Sequence, residues 1–113
     1  MARRLITDEM VEAALRILST TAEQTAAARA IRLRAEFRRK RVRARIIRDS
    51  QEKSAAAREA FAEAANEYAE ACEAEVKAVE QDEYLRAERN DAAVILEAWR
   101  SEEASNRAGN NFR

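Results

Sequence analysis

Residues 22–48 read Ala22-Glu23-Gln24-Thr25-Ala26-Ala27-Ala28-Arg29-Ala30-Ile31-Arg32-Leu33-Arg34-Ala35-Glu36-Phe37-Arg38-Arg39-Lys40-Arg41-Val42-Arg43-Ala44-Arg45-Ile46-Ile47-Arg48, and the fold turns on whether they form helix or strand. Ile31, Leu33, Ala35 and Phe37 alternate with Arg32, Arg34 and Glu36, which is the period of a strand. Against this, Ala and Arg are strong helix formers and no turn residues bound the stretch, so helix is the reading adopted. On a helical wheel Ile31, Ala35, Val42 and Ile46 fall within about 60°, while Leu33, Phe37 and Ala44 form a second stripe nearly opposite, with arginines in both gaps. Two apolar seams on one helix imply contact from two sides, which a lone hairpin cannot supply.

The rest of the chain agrees with helix. It has 113 residues, 1 Gly, no Pro, no His and 1 Cys. Alanine alone supplies 27 residues, and Ala, Glu, Lys, Leu and Arg together make 71, the composition of long helices or coiled coils. Sheet folds would lack their usual turn residues. Without His, and with Cys72 as the lone thiol, most metal sites, His-dependent catalysis and an internal disulfide are excluded, so no enzymatic activity and no cofactor are expected. The opening residues hold no signal-peptide core and no stretch is apolar enough to span a bilayer, which points to a cytoplasmic address with no membrane partner. No small-molecule substrate is expected.

A net charge of zero conceals strong polarisation. Residues 29–48 carry ten basic groups and one acidic, a net of +9, and residues 49–83 carry three basic and eleven acidic, a net of −8. The field around the chain follows this distribution as well as the total.

The expected organisation is a single helical domain over 1–113. Thr7 with Asp8 and Glu9 starts a short helix over 7–19, with Val11, Ala14, Leu15 and Leu18 on its apolar face. Ser19, Thr20 and Thr21 interrupt it, and the capping-box spacing of Thr20 and Glu23 starts a basic helix over 21–48; a continuous helix through this point is the alternative. Asp49 with Glu52 opens an acidic helix over 52–81, in which Phe61, Ala65, Tyr68, Cys72, Val76 and Val79 share a face. Glu59, Glu63, Glu67 and Glu70 then point outward. Gln81, Asp82 and Glu83 mark a kink or a new start for a C-terminal helix over 83–107, where Leu85, Ala92, Ile95 and Trp99 repeat, before a frayed tail over 108–113 around Gly109. The fold class is therefore all-α: three to four helices, coiled-coil-like, around a long antiparallel helical hairpin. Its alanine seam forgoes about 0.8 kcal/mol for each methylene a larger side chain would bury, so self-association into a homo-oligomer is expected to complete the core.

The candidate binding surface is the cationic block Arg34, Arg38, Arg39, Lys40, Arg41, Arg43, Arg45 and Arg48. Twenty helical residues span about 30 Å, long enough to follow a phosphate backbone of DNA or RNA, and Arg suits bidentate phosphate contact. Pairing of these arginines with the acidic helix of the same or another subunit competes with that role, and a simple solvated face is the third possibility. Phe37 stands alone among aromatics in the block, so a base-stacking platform is disfavoured. Glu59, Glu63, Glu67, Glu70 and Trp99 are candidates for a protein partner. A site for two metals on these glutamates is disfavoured, because such sites normally include His and face the core.

Three C-terminal segments carry a resemblance. Val79-Glu80-Gln81-Asp82-Glu83-Tyr84-Leu85-Arg86, Leu96-Glu97-Ala98-Trp99-Arg100 and Ala104-Ser105-Asn106-Arg107-Ala108 resemble a family of short helical proteins encoded by tailed bacteriophages and prophages of proteobacteria. Thr7-Asp8-Glu9 and Glu36-Phe37-Arg38 are similar as well. That resemblance implies a gene placed beside single-strand annealing proteins and exonucleases, hence a helper role in phage recombination or replication. It carries over no functional residue, and the basic block here is heavier than the family's usual pattern. The expected function is thus a non-enzymatic phage accessory protein binding nucleic acid electrostatically. The alternative is an adaptor or inhibitor acting on a phage recombination protein or a host-defence protein.

Overall fold

The computed structural model describes residues 4–111, which form four helices: α1 (Asp8–Thr20), α2 (Ala22–Asp49), α3 (Ala55–Ala64) and α4 (Asn66–Asn111). The protein is all-α, and residues 31–37 are helical, so the strand reading of their alternation is set aside. The described residues group into two compact units, one of residues 26–83 and one of residues 4–25 with 84–111.

Local chemistry explains three of the helix ends. Thr7 caps α1, its hydroxyl accepting from the Met10 amide at 3.2 Å. At the other end Thr20 and Thr21 each donate a hydroxyl at 2.6 Å to the carbonyls of Arg16 and Ile17. The break near Ser19 is thereby real, yet the capping box expected from Thr20 and Glu23 does not form, because the Thr20 hydroxyl turns back to end α1. Ser54 caps α3 through the Ala57 amide at 3.0 Å. The start expected at Asp49 and Glu52 is displaced to Ala55, since α2 runs on through Asp49 and the hydroxyl that caps the next helix is that of Ser54.

The remaining boundaries depart further from expectation. The acidic helix expected over 52–81 is two helices, separated at Ala65, which is extended at φ −71° and ψ 138°. Conversely no new helix starts at Gln81, Asp82 and Glu83, which lie within α4, and Asp82 faces inward in mid-helix and is not an N-cap. Helix also continues through Gly109 to Asn111, with no positive φ at the glycine, so the tail expected to fray is helical as far as it is described; Phe112 and Arg113 lie outside the described residues.

In the unit of residues 26–83, α2 and α4 run antiparallel. Pairing of Arg32 with Asp82, Arg39 with Glu75 and Arg45 with Glu67 gives that sense directly, since one number rises as the other falls. The inward face of α2 is Ala28, Arg32, Ala35, Arg39, Val42 and Ile46, and that of α4 is Tyr68, Ala71, Glu75, Ala78 and Asp82. Both sets alternate steps of three and four, the heptad pattern of a coiled coil, but with alanine in the positions that leucine or isoleucine usually fill. Among the described residues of the whole chain, six of the eight buried apolar side chains are alanine.

This register corrects the apolar faces drawn from hydrophobicity alone. Ala35, Val42 and Ile46 do turn inward, whereas Ile31, Leu33, Phe37 and Ala44 are exposed. On the opposing side Phe61 and Val76 are exposed, Ala65, Tyr68, Cys72 and Val79 are half-buried, and the buried apolar positions are Ala62, Ala71 and Ala78. Close helix approach favours small side chains in the seam, and the large ones are displaced to its edges or outside.

In the other unit α1 lies against the C-terminal half of α4. Arg89 donates to the Leu18 carbonyl at 3.1 Å and to the Thr21 hydroxyl at 2.9 Å, occupying the carboxyl end of α1 where a cation is favoured. Leu5 donates its amide to Glu102 at 3.1 Å and Arg4 pairs with Glu103 at 3.0 Å. Ala14, Leu85 and Ala92 are buried, and Ile95 and Trp99 are half-buried, as the C-terminal repeat predicts. Leu15 is exposed, contrary to its place on the expected face, because the buried line of α1 runs through Ala14.

Candidate nucleic-acid interface

The basic block divides into an inward and an outward set. Arg32 donates to Asp82 at 2.9 Å and to Glu83 at 2.7 Å, and these carboxylates raise its pKa, Glu83 more than Asp82. Arg39 pairs with Glu75 across the seam; its pKa is raised by hydrogen bonding to Glu75 first and to Tyr68 second. Arg43 reaches Glu63 at 3.3 Å, and Arg45 pairs with Glu67. Two further pairs are local: Lys40 with Glu36 at 3.0 Å and Arg48 with Asp49 at 2.9 Å. The pairing with the acidic segment weighed from sequence thus accounts for Arg39, Arg43 and Arg45, whereas Lys40 and Arg48 are neutralised within α2.

Arg34, Arg38 and Arg41 remain. Among the described residues all three are exposed and make no ion pair. Together with Arg45 and Arg48 they recur at steps of four, three, four and three, so one side of α2 carries five guanidiniums over about 21 Å. Arg38, Arg41, Arg45 and Arg48, with Val42 and Ala44, line an open groove of about 420 Å³. The arginines flank an apolar floor. Anions can approach them from solvent without displacing a carboxylate from Arg34, Arg38 or Arg41.

The acidic candidates are all exposed, as expected, but they do not lie on one helix. The turn at Ala65 puts Glu59 and Glu63 on α3 and Glu67 and Glu70 on α4, and Glu63 and Glu67 are held by Arg43 and Arg45. Glu59 and Glu70 are exposed and unpaired among the described residues. Trp99, half-buried in the other unit, belongs to the α4 face that meets α1. Among the described residues no cluster of His, Cys, Asp or Glu is arranged to hold a metal ion, and no helix is long and apolar enough to cross a membrane.

Arg32, Asp82 and Glu75 were absent from the sequence-derived site, although a signal for them exists. Counting Ala28, Arg32, Ala35, Arg39 and Val42 as a heptad irrespective of polarity, and doing the same for Ala71, Glu75, Ala78 and Asp82, puts opposite charges in the seam. A search confined to hydrophobic residues passes over that pattern. Compared with known protein families, with curated proteins and with solved structures, the chain matches none of them.

Proposed function

We propose that this protein binds nucleic acid through the phosphate backbone, without reading sequence, using Arg34, Arg38 and Arg41 as the principal contacts and Arg45 and Arg48 as secondary ones. The observation that carries this reading is the presence of three exposed arginines without intramolecular acid partners on one stripe of α2, while their neighbours are neutralised. A duplex presents one charge per about 1.7 Å of axis, so a 21 Å stripe faces enough phosphates for every guanidinium on it. Contacts of this kind position a nucleic acid and carry no base information. The resemblance of residues 79–108 to phage-encoded helical proteins supports a helper role in phage recombination or replication.

Duplex DNA titrated at several salt concentrations tests the proposal. With three phosphates neutralised, log affinity falls against log salt with a slope of about −2.7. Changing Arg34, Arg38 and Arg41 together to Ala removes the binding and leaves helicity unchanged, because no internal partner is lost. Absence of a mobility shift at about 50 mM salt, where charge contacts are weakly screened, overturns it.

A further inference from the structure

The outer faces of α2 and α4 in the unit of residues 26–83 carry matching patterns of opposite sign. On α2, Phe37 lies between Arg34 and Arg41 and is 58% exposed. On α4, Val76 lies between Glu73 and Glu80 and is 50% exposed. Each charged pair is seven residues apart, which on a helix is two turns and about 10.5 Å along one side. In both helices the apolar residue follows the first charge by three positions and precedes the second by four. Among the described residues Arg34, Arg41, Glu73 and Glu80 make no ion pair. Neither face is used by the seam, which occupies the opposite side of each helix.

From this correspondence we infer that the occupant of the α2 outer face is a second copy of the same chain, docking through the outer face of its α4. Arg34 and Arg41 meet Glu73 and Glu80 of the second copy, and Phe37 packs against Val76. Leu33, exposed beside Phe37, widens the apolar strip. Because the two faces lie on opposite sides of the hairpin, the contact is head to tail. Such a contact leaves one cationic and one anionic face open at the ends and so grows beyond a dimer unless its rotation closes a ring. The alanine seam leaves large side chains outside each hairpin; this contact covers three of them, Leu33, Phe37 and Val76.

Arg34 and Arg41 also belong to the nucleic-acid reading, so the test is made without nucleic acid and with a variant that spares the arginines. Solution mass is measured by light scattering over a range of protein concentrations at low and high salt. The expected result is a mass that rises past twice the 12.8 kDa monomer with concentration at low salt and falls back at high salt. Arg34→Glu with Arg41→Glu abolishes the rise, as does Glu73→Arg with Glu80→Arg, and an equimolar mixture of the two variants restores it. Phe37→Ala, which alters no charge, weakens association and provides a second handle should a charge variant fail to fold. Glu73→Arg with Glu80→Arg keeps the arginine stripe, so it loses self-association while retaining DNA binding, and the two proposals fail separately. A monomer at every concentration, association indifferent to both charge reversals, or a mixture that stays monomeric overturns the inference.

Discussion

The guanidinium of Arg32 donates to the Asp82 carboxylate at 2.9 Å across the α2–α4 seam, and Asp82 is 0% exposed. A carboxylate removed from water is costly unless it is paired, and here the pair sits where a coiled coil normally has an apolar residue. Pairing at only one register makes this contact, with that of Arg39 and Glu75, a device for alignment. Alanine faces of uniform size would otherwise slide past one another at little cost.

Asp82→Ala leaves Arg32 with Glu83 alone and removes the aligning contact. The melting temperature followed by circular dichroism is expected to fall by about 4–8 °C, the change that corresponds to roughly 1 kcal/mol in a domain of this size. Exchanging the charges, Arg32→Asp with Asp82→Arg, recovers part of the loss. Replacing both residues with Leu restores the melting temperature to the original value or above it, because a well-packed apolar pair avoids the desolvation of two charges.

Alanine in the seam is a packing requirement. Ala71 in the seam is 1% exposed and Ala62 on α3 is 0% exposed, so a leucine at either place must displace its neighbours or leave the interior. Ala62→Leu and Ala71→Leu are each expected to cost about 1–3 kcal/mol in urea unfolding, despite greater hydrophobicity and unimpaired helix propensity. An increase in stability from either substitution would show the seam to be loosely packed.

Paired and unpaired arginines separate in function. Arg39→Ala, which strips Glu75 of its partner, lowers stability and leaves the salt slope of DNA binding almost unchanged. Arg38→Ala leaves stability within about 0.5 kcal/mol, the range of surface changes, and reduces the magnitude of that slope by about 0.9. Thermal melts and salt-dependent binding on the same two variants check both halves.

Lys40 donates to Glu36 at 3.0 Å, and chiefly this hydrogen bond holds the Glu36 carboxyl below its ordinary pKa. A carboxyl whose folded pKa is depressed adds stability that is fully present above the unfolded pKa and is lost as pH falls through the folded one. Local helix stability around residues 36–40 therefore declines on acidification and is unchanged from neutral to mildly alkaline pH. Titration of the Glu36 carboxyl by NMR gives a midpoint below that of glutamate in an unstructured peptide, and Lys40→Ala moves it back upward.

Gly109 is helical, its φ is not positive, and a methyl group at its Cβ position meets nothing within 4 Å. Gly109→Ala strengthens the last turns of α4 by about 0.5–1 kcal/mol, the usual penalty of glycine inside a helix. The gain is local. Amide exchange near residues 105–109 slows while the global melting temperature stays where it was.

Several features were legible from sequence because they depend on local chemistry or composition. Absence of Pro, scarcity of Gly and abundance of Ala, Arg and Glu determine an all-α chain with long helices. Thr7 announces the first helix because its hydroxyl is placed to accept a free amide, and the hydroxyl run Ser19-Thr20-Thr21 marks where that helix stops. The separation of positive from negative blocks predicts which arms of the hairpin attract each other.

Only the tertiary structure decided which face turns inward and which charges remain free. Seven-residue spacing fixes a stripe's geometry, but close approach of two helices selects alanine over Phe37, Phe61 and Val76 for the interior. That choice rotates the seam onto Arg32, Arg39, Glu75 and Asp82. The turn at Ala65 has the same origin: alanine carries no local signal to stop a helix, so the break answers to packing, with Ala62 buried and Glu63 brought to Arg43. Once the seam is set, neighbouring arginines acquire opposite fates. Arg39 lies within reach of Glu75, while Arg38, one residue and 100° away, faces solvent.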